Sequence, residues 1–460
     1  MKAFRVLFVS SELAPLTGDE HPLAREVSFL ARALAALDVD TTVVVPGHRV
    51  PVPTRFGLAR RLAPLAVSAG GLAGDFDTFD ATFHEGTLGD GRVKLLAIDL
   101  PAVIEEDPAR RDRAFCRAAM TLATRLELRP DAVWAGPGTE PALALARTEL
   151  AVDGVAPVTL YALRDPDDPD AIAVAAHADR LVVTSPTLAQ RLAAAAADDA
   201  QPGLPAPERE RVRGILSGMD ALTWDRRGDG LDRAELGASK AAHKRALKQR
   251  LGLRGGAQAP LLALCGPVDP DILGDDALAE LSRLDLTIVV AADPVRDAAL
   301  CRRIDDLAGG ATRRGRLVVH TEASAEALRR FEGELLCAAD LVLCARTHAP
   351  NTLSELYPMY YGVAPVAPRT AVYADHLVDF DLLSVTGTGF LFDPTQPGQL
   401  VAAVRRALKA FLEPRAFATL SERAADFDLS WRAPAIRWLE LVQEVERERE
   451  AARDAQAAAS

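Results

Sequence analysis

The residues whose types and spacing hold the most chemistry lie between Arg346 and Thr370. An apolar run, Ala338–Ala345, reads as a short buried strand. A polar loop follows, then Leu353, Leu356, Tyr357, Tyr360 and Tyr361 at helical spacing, and Gly362 as the stop. VAPVAP then starts another strand. In a parallel α/β sheet, the loop after a strand and the helix start beyond it make an anion site. Asn351, Thr352 and Leu353 stand where that helix would begin. Their free N–H groups suit a diphosphate.

Other chemistry-bearing residues read as structure or surface. His84 and Glu85 are a lone pair on a surface strand. Asp165, Asp167, Asp168 and Asp170 lack the glycine and distal glutamate of a calcium loop, so they read as a solvated acidic turn. No metal site is expected. The five cysteines (Cys116, Cys265, Cys301, Cys337 and Cys344) have no CxxC spacing and read as buried thiols of a reducing cytoplasm.

The elements that must position such a site are those of a doubly wound sheet. FRVLFVS (4–10), a polar loop, a helix over 23–37 and DTTVVVPG (40–47) give strand, loop, helix, strand. The spacing predicts a further amphipathic helix over 112–127. At 460 residues the chain exceeds one ordinary core. Its net charge of −12 argues against nucleic-acid and anionic-membrane partners. No apolar run approaches the roughly 20 residues of a membrane span. A cytoplasmic protein is expected; its oligomeric state is open.

Several stretches, in order, resemble the bacterial glycogen synthases and plant starch synthases. Arg346, Pro350, Leu353, Leu356, Tyr357, Tyr361, Gly362, Pro365, Val366, Arg369 and Thr370 match that family's donor loop. Ser11, Glu12, Leu13, Pro15, Leu16, Thr17 and Gly18 match its opening. Gly214, Ile215, Leu216, Gly218, Asp220 and Trp224 match the end of its first domain. KAAHKRALKQRLGL (240–253), GTGFLFDP (387–394) and DLSWRAPAIRWLELVQEV (428–445) match in turn.

The resemblance implies a GT-B fold, two Rossmann-like domains facing a cleft. It places the first domain at 1–225, the second at 226–430, a return helix at 431–448 and a frayed tail at 449–460. It implies glucosyl transfer from ADP-glucose to an α-1,4-glucan, with no further cofactor. Gly18, Arg346, Asn351, Thr352, Leu353, Thr370 and Tyr357, the last at the ribose, become donor-site candidates. Trp134, Thr139, Glu140, Tyr161 and Asp220 become acceptor-side candidates.

The departures fall on chemistry. The family's loop glutamate is Ala349. Its three acceptor-loop histidines are Trp134, Gly136 and Thr139, the aspartate is Pro137, and a later His-Asn pair is Tyr161 and Ala162. The arginine of its phosphate clamp falls at 266–268 and the lysine near 271–273, among Asp269, Asp271, Asp275 and Asp276. The reading carried forward is a catalytically degenerate relative that binds an α-glucan or a sugar-metabolism protein. The alternatives are an active synthase and a GT-B transferase with a different donor.

Overall fold

The structure is a computed structural model that describes residues 4–17, 22–51, 53–68, 78–89, 91–164, 176–194, 204–219, 224–253, 259–266, 268–308, 316–346 and 356–459. The chain divides into two units, one of residues 1–218 with 430–460, the other of 219–429. The break thus falls at 218/219, where the sequence suggested 225/226.

Among the described residues the first unit carries nine strands: β1 (Arg5–Val9), β2 (Asp40–Pro46), β3 (Ala59–Ser68), β4 (Thr78–Leu88), β5 (Val93–Asp99), β6 (Ala132–Ala135), β7 (Val158–Ala162), β8 (Arg180–Val183) and β9 (Val212–Gly214). They run in the order β3-β4-β5-β2-β1-β6-β7-β8-β9, parallel except that β4 is antiparallel to both β3 and β5. The central strands are apolar along their length because both faces are covered. One cover is the helix Pro22–Ala35, which buries Leu23, Val27, Leu30 and Leu34. On the other face lies the helix Pro108–Arg125, capped where Asp107 accepts the Arg110 N–H at 3.1 Å.

The last helix runs unbroken from Arg432 to Ala459, so the expected fraying from 449 is not seen. Alanine-rich, charged sequence has high helix propensity, which explains the continuation. Its buried stripe is Ala435, Trp438, Leu441, Val442 and Val445, with Trp438 stacked 6.2 Å from Phe8. Ile436, on the same helix, is 37% exposed. Arg180 anchors the helix through Glu444 (3.3 Å) and Glu448 (2.5 Å).

The second unit has six parallel strands: β10 (Leu261–Leu264), β11 (Thr287–Ala292), β12 (Leu317–Thr321), β13 (Leu341–Leu343), β14 (Ala364–Pro368) and β15 (Phe390–Phe392), ordered β12-β11-β10-β13-β14-β15. The tyrosine-rich turn is a short 3₁₀ segment, Tyr357–Tyr361, ended by Gly362 at φ +67°. The helix Leu236–Arg250 sends three lysines inward, Lys240, Lys244 and Lys248. Lys240 Nζ donates to the carbonyls of Leu336 and Tyr361, both at 3.0 Å, and Lys244 pairs with Asp340 at 2.5 Å. Among the described residues no helix is long and apolar enough to cross a membrane.

Candidate functional site

Along its parallel strands each sheet reverses its strand order once, between β1 and β6 in the first unit and between β10 and β13 in the second. Loops leaving such a switch point at the carboxyl ends of the strands diverge and leave room for a ligand. The sequence candidates that the structure describes fall on or near these two places.

At the first switch point the loops after β1 and β6 are tied together. Ser11 Oγ donates to the Pro137 carbonyl at 3.0 Å. Thr139 is fully buried; its Oγ1 lies 2.8 Å from the Val9 carbonyl oxygen and accepts the Gly136 N–H at 3.1 Å. Thr139 is therefore a brace between loops and offers nothing to a ligand. Trp134 is 1% exposed and packs 5.5 Å from Phe8, so it belongs to the core and not to an acceptor surface. Its ring also explains Gly136: a Cβ there would sit 2.9 Å from Trp134 Cη2. The two replacements are coupled, because the indole occupies the space a side chain at 136 needs.

Tyr161 is likewise fully buried, and its hydroxyl donates to Glu140 Oε1 at 3.1 Å. The same oxygen accepts the Gly138 N–H at 2.8 Å. Of the described acceptor candidates, only Glu140 keeps a partly exposed side chain. Three neighbours escaped the sequence reading. Arg49 pairs with Glu12 at 3.1 Å. Asp112 approaches the loop so closely that a Cβ on Gly138 would lie 3.6 Å from its Oδ2. Burial raises the Asp112 carboxyl above its ordinary range, against Arg49 and Arg111, which lower it. Burial, with Arg111 and Arg49, holds His48 below the usual histidine value. Carboxylates and guanidiniums side by side suit the hydroxyls of a neutral, oxygen-rich ligand. Nothing in the sequence links these residues, because they come from the turn after β2 and a distant helix.

At the second switch point the segment after β10 stays beside the one after β13: Asp269 N donates to the Ala345 carbonyl at 2.7 Å. Beneath it, Glu332 from the helix Ala325–Ala338 accepts the Gly266 N–H. Burial raises Glu332 to about 7, against the pull of Arg296 and Arg329. Arg296 itself is gripped by Asp297 at 3.0 and 2.7 Å. These cations were not anticipated; they lie on the loop after β11 and on a helix.

Tyr357 does not present its ring to a ribose. It is 7% exposed, stacked 3.5 Å from Trp224, whose ring in turn has the Arg329 guanidinium 4.0 Å away. Its hydroxyl is bonded to Cys265. Arg346 ends the β13 segment half-buried, and Thr370 follows β14 with its Oγ1 unpartnered among the described residues. Of the acidic run, Asp275 pairs with Arg303 at 2.5 Å, while Asp271 and Asp276 edge a cavity of about 420 Å³ with Glu280 and Asp393. Leu273 is 1% exposed and packs in the core, whereas Asp271 is exposed at the edge of that cavity. Gly18, Asp220, Asn351, Thr352 and Leu353 lie outside the described residues.

A family profile described as the starch synthase catalytic domain matches residues 5–135. The glycogen synthase of Anaeromyxobacter dehalogenans is 31% identical over 497 aligned residues, covering 94% of this chain and 98% of that protein. The glycogen synthase of Burkholderia thailandensis is 28% identical over 500 residues, covering 95% and 89%. Among solved structures, the catalytic domain of starch synthase IV from Arabidopsis thaliana, bound to ADP and acarbose, aligns with a TM-score of 0.74 at 18% identity, covering 96% of this chain and 99% of that one. Sucrose-phosphate synthase from Thermosynechococcus elongatus aligns with a TM-score of 0.58 at 14% identity, covering 97% and 100%. With two parallel α/β units of this topology and a relative at 31% identity along nearly its whole length, the chain belongs to the glycogen and starch synthase family of GT-B glycosyltransferases.

Proposed function

We propose that this member of the family has lost efficient glucosyl transfer from ADP-glucose and serves as an α-glucan-binding or regulatory protein. The observation that carries the reading is the fate of the acceptor-loop positions. Trp134, Thr139 and Tyr161 stand where the resemblance puts titratable groups, and all three are buried and committed to packing or to hydrogen bonds within the fold. Transfer also needs positive charge near the leaving diphosphate. The described part of the β10 loop carries Asp269 and Asp271 and no cation, and Arg296 is bound to Asp297. Like charges about 4 Å apart repel by about 1 kcal/mol even in bulk-like solvent.

Calorimetric titration of the full chain with ADP tests this. The expected affinity is no tighter than millimolar, about −4 kcal/mol. Replacing Asp271→Lys should tighten it. A micromolar affinity in the unaltered chain would move the reading to an active transferase, with Arg296, Arg346 and Thr370 as phosphate ligands.

A further inference from the structure

We propose that Cys265 and Cys344 form an oxidative modification site at the second switch point, a dithiol placed to close into a disulfide. The register of the parallel pair carries the argument. β10 and β13 align Leu262 with Leu341 and Ala263 with Val342. Two residues further along each segment, Cys265 stands opposite Cys344. The alternation of faces agrees: Ala263, Val342, Cys265 and Cys344 all pack into one core cluster, whereas Leu262, Leu264, Leu341 and Leu343 pack into the other. The segments do not part at the strand ends, because the hydrogen bond from Asp269 N to the Ala345 carbonyl holds them together beyond the cysteines. Each thiol also lies within electrostatic reach of the other.

Neighbouring strands run about 4.8 Å apart. Disulfides span Cα separations of about 4.4–6.8 Å with both Cβ atoms on one side. An in-register pair on one face meets both conditions without moving the backbone far.

The oxidant is a peroxide. The thiolate of Cys265, the half-buried member, attacks one peroxide oxygen, which breaks the O–O bond and leaves a sulfenic acid and a hydroxide that takes up the proton the thiol released, giving water. The sulfur of the buried Cys344 then attacks the Cys265 sulfur. Water departs with the thiol proton, so two thiols and one peroxide give one disulfide and two waters. Burial pushes the Cys265 thiol well above its ordinary value, so oxidation is slow at neutral pH and accelerates as the pH rises. The closed bond would tether the β10 loop to the segment carrying Arg346 and would alter the Cys265–Tyr357 hydrogen bond.

The test treats the purified full chain with hydrogen peroxide under non-reducing conditions, then counts thiols after denaturation and maps linked peptides by mass spectrometry. All five cysteines titrate in the reduced protein. After oxidation two of them are lost to a single peptide joining Cys265 to Cys344, and dithiothreitol restores both. Cys265→Ala and Cys344→Ala each abolish the linked peptide, and Cys337→Ala leaves it. Circular dichroism checks that each variant folds. Retention of five thiols, loss only to sulfinic acid, or a link between any other pair would overturn the assignment.

Discussion

Both sheets break their strand order in the same way, yet the loops at the two breaks are held by different physics. Between β1 and β6 the ties are uncharged side chains on backbone: Ser11 on Pro137, and Thr139 on Val9 and Gly136. Between β10 and β13 the supporting groups are charged. Glu332 sits buried under Gly266 with Arg296 and Arg329 in reach, and at the opposite, amino ends of the same strands Asp340, bound to the Leu261 N–H at 2.8 Å, pairs with Lys244. The two switch points thus differ in kind: the first hands its side chains to the fold, and the second keeps charge and turns it inward. The first kind should be indifferent to pH and the second should not.

The largest effect should come from breaking the buried pair of the second unit. Lys244→Ala leaves Asp340 charged, with both side chains under a tenth exposed in the native protein. Removing one partner of such a pair costs about 3–5 kcal/mol. Urea unfolding checks this, and a loss below about 1 kcal/mol would mean that water or another cation reaches Asp340.

Glu332 gives the next effect, visible in the pH dependence. Its native carboxyl, near 7, lies above the ordinary 4.5, so the native state holds a proton that the unfolded chain releases earlier. This group's contribution is therefore most favourable below pH 4.5 and is lost as the pH rises to 7. Glu332→Gln should remove that slope and leave the protein more stable at pH 8 by up to about 3 kcal/mol. An unchanged slope between pH 5 and 7, measured by thermal unfolding, would show that Glu332 is already ionised there.

Thr139→Val should cost less, about 1–3 kcal/mol, by leaving the Gly136 N–H without its acceptor. The loss should be the same at pH 5 and pH 8. A pH-dependent loss would show that Glu140 or Asp112, the carboxylates beside that loop, share in holding it and would erase the contrast between the two switch points.

The sequence carried the doubly wound architecture because its central strands are apolar runs bounded by polar loops. It carried less about the last helix. Apolar residues at 435, 436, 438, 439, 441, 442 and 445 make two overlapping stripes, and the structure buries the one holding Trp438, the largest side chain. Tyr357 read as a ligand group because its loop matched the family; the stack of Trp224 on its ring depends on a segment over a hundred residues away. The grouping of Glu12, Arg49 and Asp112 was illegible for the same reason. Trp134 and Gly136 were visible as replacements, but their steric coupling was not, since it needs the position of the indole ring.

The most direct test of the proposed loss of catalysis is incorporation of labelled glucose from ADP-glucose into glycogen by the full chain, prepared from a host without its own synthase. The family's glycogen synthase from Anaeromyxobacter dehalogenans serves as the standard. The account predicts a rate lower by at least about 10²–10³, the cost of losing a single charge-stabilising group. Incorporation within about tenfold of the standard, a difference of only about 1.4 kcal/mol in barrier, would contradict it.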